Sequence, residues 1–210
     1  MKRYQIDIEP RTLHFKRPAG TSRGVYTTRR IHLVHLSDPN EPGRVGIGEC
    51  APLPQLSRDD LPDYEERLAE ACARLAESGE LDVEALRPYP SILFGLETAL
   101  AHFHAGNLAF HDTPFSRGEA GIPINGLIWM GDYQMMLEQI ERKIETGFRC
   151  VKLKIGAIRF EEELALLRHI RAKLPAGKVE LRVDANGAFT PAEAMEKLQR
   201  LAELEIHSIE

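Results

Sequence analysis

Apolar and polar residues alternate through the first fifty positions, a pattern typical of strands that bury one face. The alternation covers residues 4–8, 12–15 and 31–36, and a further strand passes through 45–47. These segments predict a three-stranded antiparallel meander joined to that further strand by a turn. The stretch 18–24 contains two glycines, which suits either a mobile loop or a plain hairpin connection.

Helical periodicity replaces this alternation after Ser57. Ser57 and Asp60 form a capping-box pattern that predicts the start of one helix, and Gly79 predicts its end. A second helix is expected from about Ser91, with an inward face formed by Leu93, Leu96, Leu100 and Phe103. Strands followed by helices predict an α+β domain over residues 1–120.

From residue 121 onwards, strands and helices alternate strictly, at about 30 residues per unit. Strands are expected at 121–125, 148–155, 179–183 and 206–210, and the intervening helices include one capped by Asp132 and one capped by Thr190. Such a run predicts a parallel sheet. A complete (β/α)8 barrel takes roughly 250 residues, so residues 121–210 are expected to be the first half of a truncated barrel.

The pattern leaves one alternative fold, and the predicted fold has one consequence for its surface. An open doubly wound sheet is the second interpretation, but it normally carries a Gly-rich first turn, which this sequence lacks. Half a barrel is also expected to leave part of its helix-facing surface without complete cover, at Val179, Leu181 and Val183.

The composition restricts the kinds of partner that this protein can have, and it says less about the fold. The 27 Lys and Arg are scattered among 32 Asp and Glu, giving a net charge of -5 at pH 7, which argues against nucleic acid as a partner. The sequence has neither an apolar run of about 18 residues nor a signal-peptide core, so we expect a cytoplasmic protein without membrane association.

Cys50, Cys72 and Cys150 form no CxxC pair and are expected to be buried free thiols. His102 and His104 diverge around the predicted helix and make poor joint ligands.

Period-two geometry places two lysines together on one face of the strand 149–155. In a barrel the apolar face meets the helices, so Lys152 and Lys154 would point into the interior near the carboxyl end, where barrel enzymes carry out chemistry. Two neighbouring ammonium groups disfavour each other's charge, which would lower a lysine pKa towards the range of a base. The alternative is an exposed edge strand with solvated lysines.

Carboxylates end the next two strands. Asp184 closes the strand after the lysines, and Glu210 occupies the same place one unit later. Two carboxylates on successive strand ends project towards one point, and carboxylate oxygen is the ligand that Mg²⁺ requires. A lone aspartate there could instead cap the following helix, but Thr190 and Pro191 already supply that signal.

Three segments carry a family resemblance. The motifs VKLKIG at 151–156, DANGAF at 184–189 and IE at 209–210 occur in order, one unit apart. Together they resemble the muconate-lactonising subgroup of the enolase superfamily. GIGECAPLP at 46–54 is similar to that family's capping-domain loop, which covers the active site, and FGLETAL at 94–100 to its helix leading into the barrel.

Within that subgroup, the segments 48–54 and 123–131 are most similar to the o-succinylbenzoate synthases of menaquinone biosynthesis. The subgroup also contains dipeptide epimerases and N-acylamino acid racemases, which remain alternatives. A hypothesis of another class is a non-catalytic fragment that binds a partner chain. Trp129 follows the first barrel strand and would either line a substrate pocket or pack in the core.

The resemblance implies a role for each candidate residue in a Mg²⁺-dependent lyase. Lys154 would remove the proton next to the carboxylate of a small-molecule substrate, with Lys152 tuning its charge. Asp184 and Glu210 would be two Mg²⁺ ligands that stabilise the resulting enediolate. Lys154 would then protonate the departing hydroxyl, which completes a dehydration. The family's third metal carboxylate and second lysine come from later strands, so the isolated 210-residue chain is expected to be inactive.

Overall fold

The computed structural model describes residues 3–21 and 24–210, with only the backbone of Thr21. The chain divides into two compact units. Among the described residues, the first comprises residues 3–19 and 25–121, and the second comprises residues 20–21, 24 and 122–210. None of the described helices is long and apolar enough to cross a membrane.

The first unit contains a three-stranded sheet in the order β1-β2-β3, formed by β1 (Gln5–Thr21), β2 (Gly24–Ser37) and β3 (Val45–Cys50). The two short strands expected at 4–8 and 12–15 are one continuous strand. Pro10 does not interrupt it because β1 is an edge strand, where a missing N–H is tolerated. Within the stretch 18–24, residues 18–21 belong to β1 and residue 24 to β2, whereas residues 22–23 lie outside the described residues.

Three helices complete this unit: α1 (Tyr64–Ser78), α2 (Val83–Leu86) and α3 (Pro90–Ala105). The capping box predicted at Ser57 is wrong, because α1 begins seven residues later. The Ser57 hydroxyl accepts a hydrogen bond from the Leu53 N–H (2.8 Å), which stabilises the preceding turn instead. Pro62 disfavours helical geometry at the residue before it, so the helix starts only beyond that proline.

The glycines of β3 allow the sheet to lie directly against α3. A Cβ atom added at Gly46 would overlap Ala99, and one added at Gly48 would overlap the backbone of Gly95. Part of the segment assigned by resemblance to a capping loop, 46–54, is therefore strand β3 packed on a helix. The core of this unit includes Val34, Leu36, Leu68, Leu75, Ile92, Leu96 and Phe103.

The second unit alternates strands and helices. It contains β4 (Gly126–Ile128), α4 (Tyr133–Glu145), β5 (Cys150–Lys154), α5 (Phe160–Lys173), β6 (Glu180–Asp184), α6 (Pro191–Ala202) and β7 (Ser208–Ile209). The strands pair in parallel in chain order, β4-β5-β6-β7. Four parallel strands interleaved with helices confirm the prediction of half a (β/α)8-type barrel.

The boundaries in this unit differ from the prediction at its first strand. The strand expected at 121–125 instead spans Gly126–Ile128. Ile122 and Ile124 are exposed, whereas Ile128 is fully buried. Burial in the core therefore marks this strand, and the alternation of apolar and polar residues before it does not. Asp132 caps α4 as predicted, accepting a hydrogen bond from the Met135 N–H.

The helix-facing side of the sheet is well covered. Val179, Leu181 and Val183 are at most 4% exposed, so the expectation that these residues lack cover is wrong. They belong to one core cluster with Leu164, Leu167 and Ile170 of α5, and burial of such side chains stabilises each by roughly 1.5–3 kcal/mol. Exposed apolar side chains remain on the helices, at Met195 and Leu198 of α6 and at Tyr133 and Met135 of α4.

Candidate active site

The parallel register brings the predicted site residues to one edge of the second unit's sheet. Lys154 at the end of β5 lies opposite Asp184 at the end of β6, and Glu210 directly follows β7. Because the strands are parallel, their carboxyl ends meet at the same edge. Their apolar neighbours in sequence, Leu153 and Val183, are fully buried on the helix-facing side, which confirms the predicted alternation of faces.

All four predicted residues are joined by short contacts between ammonium and carboxylate groups. Lys154 Nζ donates to Asp184 Oδ2 (2.5 Å). Lys152 Nζ donates to Glu210 Oε2 (2.6 Å) and lies 3.2 Å from Asp184 Oδ2. The two carboxylates therefore converge on a single ammonium group, and each lysine contacts at least one carboxylate.

Burial strengthens these charge interactions unequally. Asp184 is 4% exposed, while the Glu210 side chain is 58% exposed. Burial favours the neutral form of Asp184, but hydrogen bonds from Lys154, the Asn186 backbone and Lys152 outweigh it and hold the pKa of this carboxyl below its ordinary value.

The prediction that the neighbouring ammonium groups lower a lysine pKa is wrong for Lys152. Its hydrogen bond to Glu210 raises the pKa of the Lys152 ammonium, with Asp184 acting in the same direction against desolvation. The pattern of two adjacent lysines predicted mutual repulsion, whereas the fold places a carboxylate against each ammonium. At Lys152, the two carboxylates outweigh the loss of solvation.

The structure adds Asn186, which the sequence analysis did not single out. Its side-chain Oδ1 accepts a hydrogen bond from Lys154 Nζ (3.0 Å), and its backbone N–H donates to Asp184 Oδ1 (3.0 Å). Asn186 has a φ of 48°, the left-handed conformation that asparagine tolerates better than most residues. The sequence signal that could have indicated this turn is the dipeptide Asn186-Gly187, because Asn-Gly is typical of tight turns.

Trp129 follows β4 and borders the same cluster. Lys154 Nζ lies 5.8 Å from the centre of the Trp129 ring, and the residue is 38% exposed, so the core-packing alternative is wrong. Gln139 of α4 fixes the Trp129 backbone by accepting from its N–H (2.8 Å) and donating to its carbonyl (3.1 Å). A half-exposed ring at this edge is available to an apolar or planar part of a ligand.

The cysteines and histidines form no alternative centre within residues 3–21 and 24–210, where no group of three or more His, Cys, Asp and Glu side chains could hold a metal ion. Cys50 and Cys72 are buried free thiols, as predicted, and burial raises the pKa of each to about 12. Cys150 is only half-buried, contrary to the prediction, because it lies on the polar face of β5. His102 Nδ1 accepts from the Ile47 N–H (3.0 Å), a structural role.

The donor chemistry of Asp184 and Glu210 nevertheless fits Mg²⁺. Both supply only carboxylate oxygens, and both lie within 3.2 Å of the same cationic atom, Lys152 Nζ. Mg²⁺ is commonly held by one or two carboxylates together with water and substrate oxygens. The arrangement therefore has the oxygen ligands and the convergence that two Mg²⁺ ligands need.

Comparison with known families accounts for most of the chain. Residues 12–103 match the family described as "MenC, N-terminal domain", and residues 135–210 match "Enolase C-terminal domain-like". The second match contains all four residues of the charged cluster. The boundary between the matched segments falls near the boundary between the two compact units.

Individual relatives agree with these matches. The chain is 40% identical to the o-succinylbenzoate synthase of Desulfotalea psychrophila over its whole length, and covers 65% of that protein. The crystal structure of MenC from the same organism matches with a TM-score of 0.78 at 32% identity, over 98% of this chain and 63% of that one. The chain thus spans less than two thirds of the length of these relatives.

Two further relatives bear on the chemistry. The o-succinylbenzoate synthase of Thermosynechococcus elongatus, solved with Mg in the active site, matches with a TM-score of 0.69 at 30% identity, over 99% of this chain and 59% of that one. A hydrophobic dipeptide epimerase of Enterococcus faecalis is 33% identical over 36% of this chain and 21% of its own length.

Proposed function

The chain belongs to the enolase superfamily, and from this we propose that the gene product containing it is an o-succinylbenzoate synthase. The proposed reaction is the Mg²⁺-dependent dehydration of a small carboxylate substrate in menaquinone biosynthesis. The observation that carries the proposal is the cluster of Lys152, Lys154, Asp184 and Glu210 at the carboxyl ends of β5, β6 and β7. The 40% identity to a synthase supports the choice of reaction.

Lys154 is the proposed acid/base of this reaction. Its amine would take the proton next to the substrate carboxylate, so that a C–H bond breaks and an N–H bond forms. The same proton would then pass to the departing hydroxyl as its C–O bond breaks, which releases water. A positioned group that moves a proton in this way typically contributes 10²–10⁴-fold to the rate.

The other residues of the cluster would hold Lys154 and the metal in place. Asp184 and Glu210 are the proposed ligands, and Mg²⁺, when bound, would supply positive charge that stabilises an enediolate. Lys152 contacts both carboxylates and would orient Glu210. Asn186 would fix the Lys154 amine through its side-chain oxygen.

A second candidate function is epimerisation of dipeptides or racemisation of N-acylamino acids. The identity of 33% to a dipeptide epimerase over part of the chain favours it. These reactions begin with the same removal of a proton next to a carboxyl group, so the cluster is compatible with both. The two reactions differ in their second step, because the synthase expels a hydroxyl whereas the epimerase returns a proton to the carbon.

The test is a direct comparison of substrates. The gene product containing these residues is assayed with Mg²⁺ against the synthase substrate, hydrophobic dipeptides and an N-acylamino acid. We expect dehydration of the synthase substrate to have the highest kcat/KM. Faster epimerisation would assign the second function, and a purified, folded protein inactive on all three would favour a non-catalytic role in binding a partner chain.

A further inference from the structure

Glu163 is a buried carboxylate that the proposed chemistry does not use. It lies in the first turn of α5 and is 1% exposed. Its neighbours Glu161 and Glu162 form ion pairs with arginines near the surface. Glu163 instead accepts hydrogen bonds at one oxygen, Oε1, from three consecutive backbone N–H groups. The donors are Gly156 (2.5 Å), Ala157 (3.2 Å) and Ile158 (3.4 Å).

The loop that Glu163 fixes begins two residues after Lys154. Gly156 has a φ of +92°, in the left-handed region that favours glycine. A Cβ atom at this position would overlap the side chain of Ala188, in the loop after β6. The Ile155 N–H also donates to the Asp184 carbonyl (2.9 Å). The loops that follow Lys154 and Asp184 therefore touch, and Glu163 holds one of them through its backbone.

The burial of the Glu163 carboxylate is not explained by a contribution to overall stability. A carboxylate removed from water loses solvation, and apolar side chains of similar volume are often at least as stabilising at such positions. Burial raises the pKa of Glu163, and the three backbone N–H groups oppose that shift. Three consecutive backbone N–H groups of the turn point to one atom, with Gly156 in the left-handed conformation, and Glu163 supplies the acceptor for all three.

We propose that Glu163 is a positioning residue for proton transfer. By holding residues 156–158, it keeps the end of β5 in register with β6, so that the Lys154 amine stays aligned with Asp184 and Asn186. This inference rests on the proposed role of Lys154 and extends it to a residue that touches no reacting atom. Loss of this constraint should reduce the rate of chemistry more than the binding of substrate.

Three substitutions separate the acceptor from the charge and the volume. Glu163→Gln keeps an oxygen at the same reach, Glu163→Leu keeps the size without an acceptor, and Glu163→Asp keeps the charge but withdraws it by one carbon. Glu162→Gln, at a partly exposed position in the same turn, is the matched control. Each variant is made in the gene product containing this chain and assayed with Mg²⁺ and the synthase substrate.

We expect Glu163→Leu and Glu163→Asp to lower kcat by about 10–100-fold, the effect of a small misplacement, with KM changed less than about threefold. Glu163→Gln should retain kcat within about threefold, as should the control. Amide hydrogen exchange at 156–158 should accelerate in the Leu and Asp variants only. If Glu163→Leu does not fold, Glu163→Asp decides the outcome. Equal losses in the Gln and Leu variants, or an unchanged kcat in the Asp variant, would overturn the proposal.

A spectroscopic measurement judges the proposal independently of turnover. Reductive ¹³C-methylation gives each lysine an NMR signal, and Lys154→Arg assigns that of Lys154. We expect this signal to shift in Glu163→Asp and to stay in place in Glu163→Gln. If the wild-type protein catalyses neither dehydration nor epimerisation, the proposed function fails. A Lys154 signal that is the same in all variants would show that Glu163 does not position this residue.

Discussion

The two ends of the second unit's parallel sheet are each fixed by a charged residue of α5, but with opposite chemistry. At the carboxyl ends of the strands, the Glu163 carboxylate accepts hydrogen bonds from three backbone N–H groups. At the amino ends, the half-buried Arg171 guanidinium donates to four backbone carbonyls, those of Leu174, Val179, Leu204 and Glu205.

The two ends of the sheet differ in whether their charged side chains can interact with a ligand. Burial lowers the pKa of Arg171, and its donors are directed at carbonyls of the surrounding chain. The carboxyl ends instead bring Lys152, Lys154, Asp184 and Glu210 against one another, where a ligand could compete for them. We therefore propose that one end serves stability and the other serves chemistry, the division typical of barrel enzymes.

The largest effect should come from Lys154→Ala. We expect proton abstraction to fall by about 10³-fold or more, since a general acid/base is removed, with little loss of stability because the side chain lies on the polar face. The measurement is exchange of the substrate α-proton with deuterated solvent, followed by NMR. Lys178→Ala, an exposed lysine before β6, is the control. Exchange at the wild-type rate in Lys154→Ala, with exchange lost in Lys152→Ala, would reverse the two roles.

Arg171→Met should have the opposite signature. A buried carbonyl left without a donor costs about 1–3 kcal/mol. Val179 is the buried acceptor residue, whereas water can reach an exposed one such as Glu205, so we expect the free energy of unfolding to fall by roughly 2–4 kcal/mol in urea titrations. The kcat of the folded fraction should remain at the wild-type value. Arg168→Met, on the exposed side of the same helix, should change little. A large drop in kcat without loss of stability would contradict the division between the two ends.

The smallest effect is expected at a surface pair on the same helix. Glu161 accepts two hydrogen bonds from Arg200 (2.5 and 2.7 Å), but its side chain is 64% exposed. We expect Glu161→Gln to change the free energy of unfolding by less than about 1 kcal/mol, because solvent screens such pairs. A larger loss would show that exposed pairs around α5 contribute as much as its buried charged residues.

The sequence was sufficient to predict the charged cluster because two simple periodicities determine it. Alternation along a strand put Lys152 and Lys154 on one face, and parallel pairing brought Asp184 and Glu210 to the same edge. The first rule involves residues within one strand, and the second involves only neighbouring strands. The order of the strands followed from the regular spacing of the βα units.

The residues that hold this cluster could not be predicted in the same way. Glu163 ends a run of three glutamates that is indistinguishable from a solvated first helical turn, and only packing distinguishes the buried member. The apparent capping box at Ser57 failed because a proline further along controls where α1 begins. Lysine pKa values depend on which opposite charges the fold brings near, which adjacent residues do not reveal.

The central claim is that the carboxyl ends of β5, β6 and β7 form a Mg²⁺-dependent site of proton transfer. The most direct measurement is turnover of the gene product after chelation and then stepwise addition of Mg²⁺, with Asp184→Asn measured in parallel. We predict that chelation abolishes turnover, that Mg²⁺ restores it in the wild type, and that Asp184→Asn is not restored at the same concentrations. Undiminished turnover in excess chelator, or full recovery of Asp184→Asn, would contradict the account.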